Sequence, residues 1–305
     1  MRLGHAALTL ALVVATSLSL GGSATAGETA GEGRIIALDY TEDPKLLVAL
    51  DPATGTVTDT RALPPRAGSG SLSPDGSQLT YIRLRDECIP QPEGCNYGRD
   101  LWIADADGGN ARVLVPGTTE TPDEAIWAPD GKHVLFRTER LEWIAPDGTG
   151  REVLDTTGGH DASFSPDGKS LAYMRTTCWT DGDYKECGRD PYVMHLGSRK
   201  VRALTTDHRG GESTPADWSA DSRRIVYSTG YGLRSVDVTT GDSLSLRLPV
   251  YAFTPVFSPD GSRIAFAGLD DATYTKKVYV TDATPGAAVS VLNDRLMHLW
   301  DWLPE

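Results

Sequence analysis

Basic residues are scarce in this chain: 29 Lys and Arg stand against 42 Asp and Glu, for a formal net charge of -13. That excludes a nucleic-acid groove, which needs a basic face to neutralise phosphates, and adhesion to anionic lipid. Cysteine is scarce too, with 4 in 305 residues. None sits at the two-residue separation typical of a zinc site. Catalytic signatures are missing: there is no Gly-x-Ser-x-Gly, phosphate-binding loop, dinucleotide fingerprint or zinc-protease helix. Beyond the first two dozen residues no apolar run is long enough to make a membrane helix.

Glycine (32) and proline (19) are plentiful, as many short strands and turns require. The start reads as an export signal. Arg2 gives a charged start, Leu8 to Leu20 an apolar stretch of 13 residues, and Ala24-Thr25-Ala26 a small-x-small cleavage site. Residues 1–26 are expected to be removed, 27–33 to form a short flexible N-terminus, and the mature protein to be secreted or held in the cell envelope. The cysteines suit that compartment. They fall into two local pairs, Cys88/Cys95 and Cys178/Cys187, and disulfides are expected in both.

What the chain does have is a repeat. Ser73-Pro74-Asp75-Gly76, Ser165-Pro166-Asp167-Gly168 and Ser258-Pro259-Asp260-Gly261 are intact; Ala128-Pro129-Asp130-Gly131 and Ser219-Ala220-Asp221-Ser222 are degenerate. Proline presets the second turn position, Asp suits the third, and Gly accepts the left-handed exit. A large apolar residue precedes each copy: Leu72, Trp127, Phe164, Trp218 or Phe257. Short β-branched and aromatic runs follow, then a second hairpin. The Asp positions are separated by 55, 37, 54 and 39 residues. A core unit of that shorter length with insertions fits the four-stranded propeller blade, whose period is about 40–45 residues.

Five turns imply five blades, but the ends add another. Trp302-Leu303-Pro304-Glu305 repeats the aromatic-Ser-Pro-Asp pattern without the strands that should follow. Residues 34–64 supply three strands without an inner one. The fold expected is therefore all-β: a single six-bladed β-propeller over 34–305, made of four-stranded antiparallel blades. Blade 6 combines 34–64 with 298–305, so the N- and C-terminal strands close the ring. The aromatic-Ser-Pro-Asp-Gly-x-x-(Ile/Leu)-Ala-(Phe/Tyr) pattern, with Tyr-Val-x-Asp after it, resembles the TolB-like six-bladed propeller repeat over nearly all of the mature chain. That resemblance implies an exported propeller; the separate N-terminal α/β domain of TolB is not expected here.

Candidate sites lie where the repeat is interrupted. The segments Arg85 to Asp100 and Thr176 to Asp190 are long, carry the cysteines, and end in Gly98-Arg99-Asp100 and Gly188-Arg189-Asp190. They are expected to form two stapled loops flanking a notch over blade 2, lined by Tyr97, Trp179 and Tyr184 with Arg99 and Arg189 at its base. The second place is the channel mouth, where the loops carry Glu124, His160, Asp161, His208, Glu212, Asp217 and His298. His160 and His298 precede their turns by equal distances, and blades 3 and 6 oppose each other. The reading favoured is a secreted, monomeric, non-catalytic binding propeller without a cofactor. It recognises a protein, peptide or glycan through its loop-rich face, and neither nucleic acid nor membrane is a partner. The alternative is a metal-dependent lyase or hydrolase with a divalent cation held by His and carboxylate groups at the channel mouth.

Overall fold

The repeated turn is built by its own side chains. The Ser73 hydroxyl donates to Asp75 Oδ1 at 2.6 Å and accepts the Gln78 N–H at 2.9 Å. Ser165 and Ser258 make the same two bonds. So does Ser219, although Ala220 and Ser222 replace the proline and glycine there. The Ser–Asp pair therefore carries the turn when the signature residues are lost. The fourth position is left-handed in every copy: Gly76 has φ 70° and Ser222 φ 59°. Glycine adopts that conformation freely, whereas a side chain there costs about 1–2 kcal/mol.

The structure is a computed structural model. It describes residues 33–303 except 40, 42–44, 88, 92–93, 118–119, 182–183, 211–216, 271 and 296. The proposed signal at 1–26, Cys88, Glu212 and Glu305 lie outside the described residues, as do the side chains of Cys95 and Tyr184. Four-stranded antiparallel sheets make up blades 1 (67–115), 2 (123–155), 3 (160–203), 4 (217–247) and 5 (251–293). Met297–Leu303 is the inner strand of blade 6, paired to Arg34–Asp39, with Leu46–Leu50 and Val57–Ala62 outside it. The register sets Ile35 opposite Trp302 and Leu38 opposite His298. The six-bladed ring closed by both ends of the chain is therefore present. Among the described residues no helix is long and apolar enough to cross a membrane.

The residue immediately before each turn wedges between blades. Trp127 packs with Ile82, Leu101 and Val115 of blade 1, and Trp218 with Ala172, Met174 and Leu204 of blade 3. Phe257 packs with Val226, Leu246 and Leu248 of blade 4, and Trp302 with Val256, Ala265 and Val278 of blade 5. Each apolar cluster thus spans a seam between neighbouring sheets. Blades are held by interdigitated side chains rather than by backbone pairing, so the inner strands are free to present polar groups to the channel.

Candidate functional site: the loop face and the channel

Antiparallel order fixes what shares a face. The Ser-Pro-Asp-Gly turns lie at one end of the ring. The starts of the inner strands and the hairpins between second and third strands lie at the other, the loop face.

Blade 3 departs furthest from the repeat there. The segment expected to be a loop is instead a continuation of the sheet: Ser170–Asp181 and Tyr184–His195 pair without a break from Ser170 opposite His195 to Asp181 opposite Tyr184. An uninterrupted ladder satisfies the backbone polar groups that a loose loop leaves to water. Cys178 stands opposite Cys187 and the two form a disulfide, with Cα atoms 4.1 Å apart. Blade 1 differs: its insertion folds as a separate small hairpin, Ile89–Gln91 against Gly94–Asn96. Blade 2 has only a tight turn at this point, closed by the Thr138 N–H to the Arg140 carbonyl at 2.9 Å.

The exposed aromatics have partners of their own. Trp179, 40% exposed on the blade 3 hairpin, lies 4.9 Å from the His208 ring. His208 Nδ1 is 2.5 Å from Asp190 Oδ2, and its backbone N–H donates to Asp190 Oδ1 at 3.1 Å. His208 is thus grouped with the hairpin, on the connection towards blade 4, and not with the channel residues. A Cβ on Gly188 would stand 2.4 Å from His208, so glycine is what lets that connection close on the strand. Tyr97 is half-exposed beneath the Arg66 guanidinium, 4.9 Å from ring centroid to Cζ. Among the described residues no ring contact joins Trp179 to Tyr97 across blade 2.

The two Gly-Arg-Asp copies share one task. Asp100 accepts the Arg85 guanidinium at 2.6 Å and the Gly117 N–H at 2.8 Å. Asp190 accepts the Thr205 hydroxyl at 2.9 Å and the His208 N–H. Each buried carboxylate anchors the chain leaving its own blade. Arg189 sits on the strand beside this anchor, bridged to Gly210, and Arg99 pairs with Leu84.

A third aromatic group was not singled out from sequence. Tyr231, 55% exposed, meets Tyr251 edge-on at 5.4 Å, and Tyr251 meets Phe253 at 5.1 Å. The signal available was Gly230-Tyr231-Gly232 at a hairpin tip, which places a large ring where the flanking backbone offers no cover.

In the channel, Glu124 receives the Asp161 N–H at 2.6 Å and the Ala162 N–H at 3.4 Å from blade 3. Arg137 Nε is 3.4 Å from the same carboxylate. Asp161 binds His160 Nδ1 at 2.8 Å, and His160 Nε2 meets the Thr176 hydroxyl at 3.0 Å. Glu124 and Asp161 both have positive φ, 56° and 52°, at the bulges of their inner strands. Glu124 keeps 18% of its side chain open to channel water. Protein nevertheless encloses it, and that burial, with the Asp161 charge adding, pushes its carboxyl up to about 8. Burial lowers His298 from its usual range while the Asp161 charge works against it, so His298 of blade 6 and Asp161 of blade 3 interact electrostatically. Asp217 is pushed well above the carboxylate range by burial and then by the charge of Asp301, itself raised by burial. Asp301 was missed from sequence, yet Asp217-Trp218 and Asp301-Trp302 repeat the same dipeptide before the turn.

Glu124 and Asp217 share a structural role with two neutral residues of the inner strands, Ser71 and Thr254. Ser71 accepts the Trp127 N–H at 3.1 Å, Asp217 the Phe257 N–H at 2.7 Å, and Thr254 the Leu299 N–H at 3.2 Å. With Glu124 they stitch an inner strand to the next at four of the six seams, between blades 1 and 2, 2 and 3, 4 and 5, and 5 and 6. Among the described residues no three His, Cys, Asp or Glu side chains come together as a metal-ligand set.

No family model matches the sequence. The Tol-Pal system protein TolB of Francisella tularensis subsp. mediasiatica (strain FSC147) is 23% identical over 237 residues, 72% of this chain and 51% of that protein. The chain thus spans about half the length of the curated relatives it matches. Among solved structures, TolB from Acinetobacter baumannii superposes with a TM-score of 0.64 at 17% identity, covering 91% of this chain and 68% of that one. An oligogalacturonate lyase in complex with manganese gives 0.59 at 19% identity, covering 82% and 74%. At such identities the structural likeness establishes the fold alone. Repeat, blade count, ring closure and sequence similarity agree: the chain is a TolB-like six-bladed β-propeller.

Proposed function

We propose that this chain is an exported, non-catalytic propeller that binds a protein partner through its loop face. The observation that carries the reading is Trp179, a large exposed ring on a fully paired, disulfide-stapled hairpin and backed by His208. Rigid aromatics lose little entropy on contact and are frequent binding anchors. Tyr97 and the Tyr231 group place further rings on the same face. Export is supported by the charged, apolar and small-residue order of residues 1–26. The channel is not put forward as a catalytic centre, because Glu124 and Asp217 are already engaged in joining the inner strands.

The test is capture from culture supernatant and envelope extract by the mature protein, with Trp179→Ala and Tyr231→Ala variants beside it. The reading expects a discrete protein retained by the native chain and lost from the double variant. An identical captured set from both would overturn it.

A further inference from the structure

Among the described residues, no strand covers the inner edge of the blade 3 hairpin. In blades 2, 5 and 6 the inner strand reaches the end of the second strand or stops one residue short of it. Asp123 stands opposite Arg137, Tyr251 opposite Leu269 and Met297 opposite Asp39. In blade 3 the inner strand begins at His160, opposite Met174, while the second strand runs on from Arg175 to Asp181. Its outer side is paired with Tyr184–His195 throughout. On its inner side the His160 imidazole meets the Thr176 hydroxyl at 3.0 Å, a side-chain contact that leaves the backbone as it is.

The disulfide pair tells which backbone groups this edge offers. Opposed residues of an antiparallel ladder alternate between hydrogen-bonded pairs, with Cα atoms about 5.5 Å apart, and non-hydrogen-bonded pairs, about 4.5 Å apart. Cys178 and Cys187 have Cα atoms 4.1 Å apart and so form a non-hydrogen-bonded pair. The N–H and C=O of Cys178 therefore point away from Tyr184–His195. No register shift interrupts the ladder, so Thr176 and Thr180 point theirs the same way. Such a row is a template for another strand, and proteins commonly guard it with lysine, proline or a bulge. Residues 176 to 180 are exposed and carry no such guard. Their threonines and Trp179 favour extended backbone. Because the disulfide already holds the row, a strand that adds to it has to order only itself.

We propose that this edge takes an extended, positively charged segment of the protein partner as an added strand. The segment continues the line of the inner strand beyond His160 and pairs with the backbone of Thr176, Cys178 and Thr180. Main-chain bonds hold it, as in other cases of strand addition, and its side chains pass beside the Trp179 ring as diagonal neighbours across the new pair. The charge follows from the surroundings. A Cβ on Gly158, two residues before His160, would stand 4.0 Å from the Glu139 carbonyl, so the blade 2 turn borders the path of the segment. Glu139 is exposed and makes no ion pair among the described residues, in a chain of net charge -13. The assignment rests on the loop face being the partner surface and adds how the partner is held there.

The probe is the capped peptide acetyl-Val-Lys-Val-Thr-Val-Lys-Val-amide, titrated into the isotope-labelled mature protein and read by amide exchange in NMR. Without peptide the amides of Thr177 and Trp179 should exchange slowly and those of Thr176, Cys178 and Thr180 fast. With peptide the fast set should slow at least tenfold. Glutamate in place of both peptide lysines should weaken binding at least tenfold. Thr180→Pro removes an N–H that faces the free edge and none that faces Tyr184–His195, and proline is accepted at such an edge. It should weaken the peptide at least tenfold and release the captured partner, with Trp179 exchange still slow as the sign of an intact hairpin. Thr180→Ala keeps the N–H and should do neither. No slowing of Thr176, Cys178 and Thr180, equal binding of the glutamate peptide, or equal losses in the two Thr180 variants would each overturn the assignment. So would slowing that follows protein concentration without peptide, which gives the edge to a second copy. Capture lost from the Trp179→Ala, Tyr231→Ala double variant but kept by Thr180→Pro would overturn the added strand alone and leave the loop-face reading standing.

Discussion

Replacing Glu124 by Gln should flatten the dependence of stability on pH. In the folded chain this carboxyl is pushed up to about 8 from its ordinary 4.5, first by burial and then by the Asp161 charge. A carboxyl whose folded value is raised binds its proton more tightly in the native state. It therefore adds stability at low pH that is lost as pH climbs through the folded value. His298 is shifted downward and works in the opposite direction below its ordinary 6.5, so the clean window begins there. From pH 6.5 to about 8.5 the Glu124 contribution falls by about 2 kcal/mol, at about 1.4 kcal/mol per tenfold change. Channel water screens the charge, which makes that figure a ceiling. Glutamine keeps a carbonyl oxygen to accept the Asp161 N–H, so the stitch between blades 2 and 3 survives. Asp217 and Asp301 remain in both proteins, and the difference between them isolates Glu124. Urea unfolding at the two pH values should show a native chain that weakens by up to about 2 kcal/mol more than the variant, or about 3–4 °C in melting temperature at about 2.1 cal/mol/K of unfolding entropy per residue. Identical pH slopes, or a native chain that gains stability across the window, would refute the reasoning.

Other outcomes follow from packing and covalent constraint. Trp302→Ala should cost about 3–5 kcal/mol, the usual range for a buried Trp; Trp302 is 3% exposed in the cluster that joins blade 6 to Val256 and Val278 of blade 5. A denaturation midpoint close to native would show that ring closure does not rest on it. Cys178→Ser with Cys187→Ser should lower stability by about 2–3 kcal/mol in the loop-entropy model and speed amide exchange between residues 176 and 190. Unchanged exchange there would mean that the ladder alone holds the hairpin. The exported protein should show no titratable thiol under denaturation, and four would overturn both expected pairings.

The scaffold was legible because its signal is local and repeated. A Ser–Asp turn with a large apolar residue just ahead of it needs only a few neighbouring positions, and Trp302 revealed the sixth copy by the same pattern. The sites were less legible because they depend on contacts distant in sequence. Nothing in the segment around Cys178 distinguishes a loop from two paired strands until the whole ladder is seen. His208 was grouped with Glu124 by its place ahead of an inner strand. Its partners are Asp190 and Trp179, reached because Gly188 lets the connection approach. The channel carboxylates invited a catalytic reading from residue type alone. The geometry gives Glu124 and Asp217 a bond to the next inner strand, a role the sequence does not display because donor and acceptor lie 37 and 40 residues apart.

The central claim, a partner bound through the loop face, is tested most directly by site-specific photo-crosslinking in the exporting cell. The photoreactive residue would replace Trp179 or Tyr231 on the loop face and Ser77 on the turn face. The account predicts one discrete protein adduct from the loop-face positions and none from Ser77. Adducts from Ser77 with none from Trp179 or Tyr231 would contradict it.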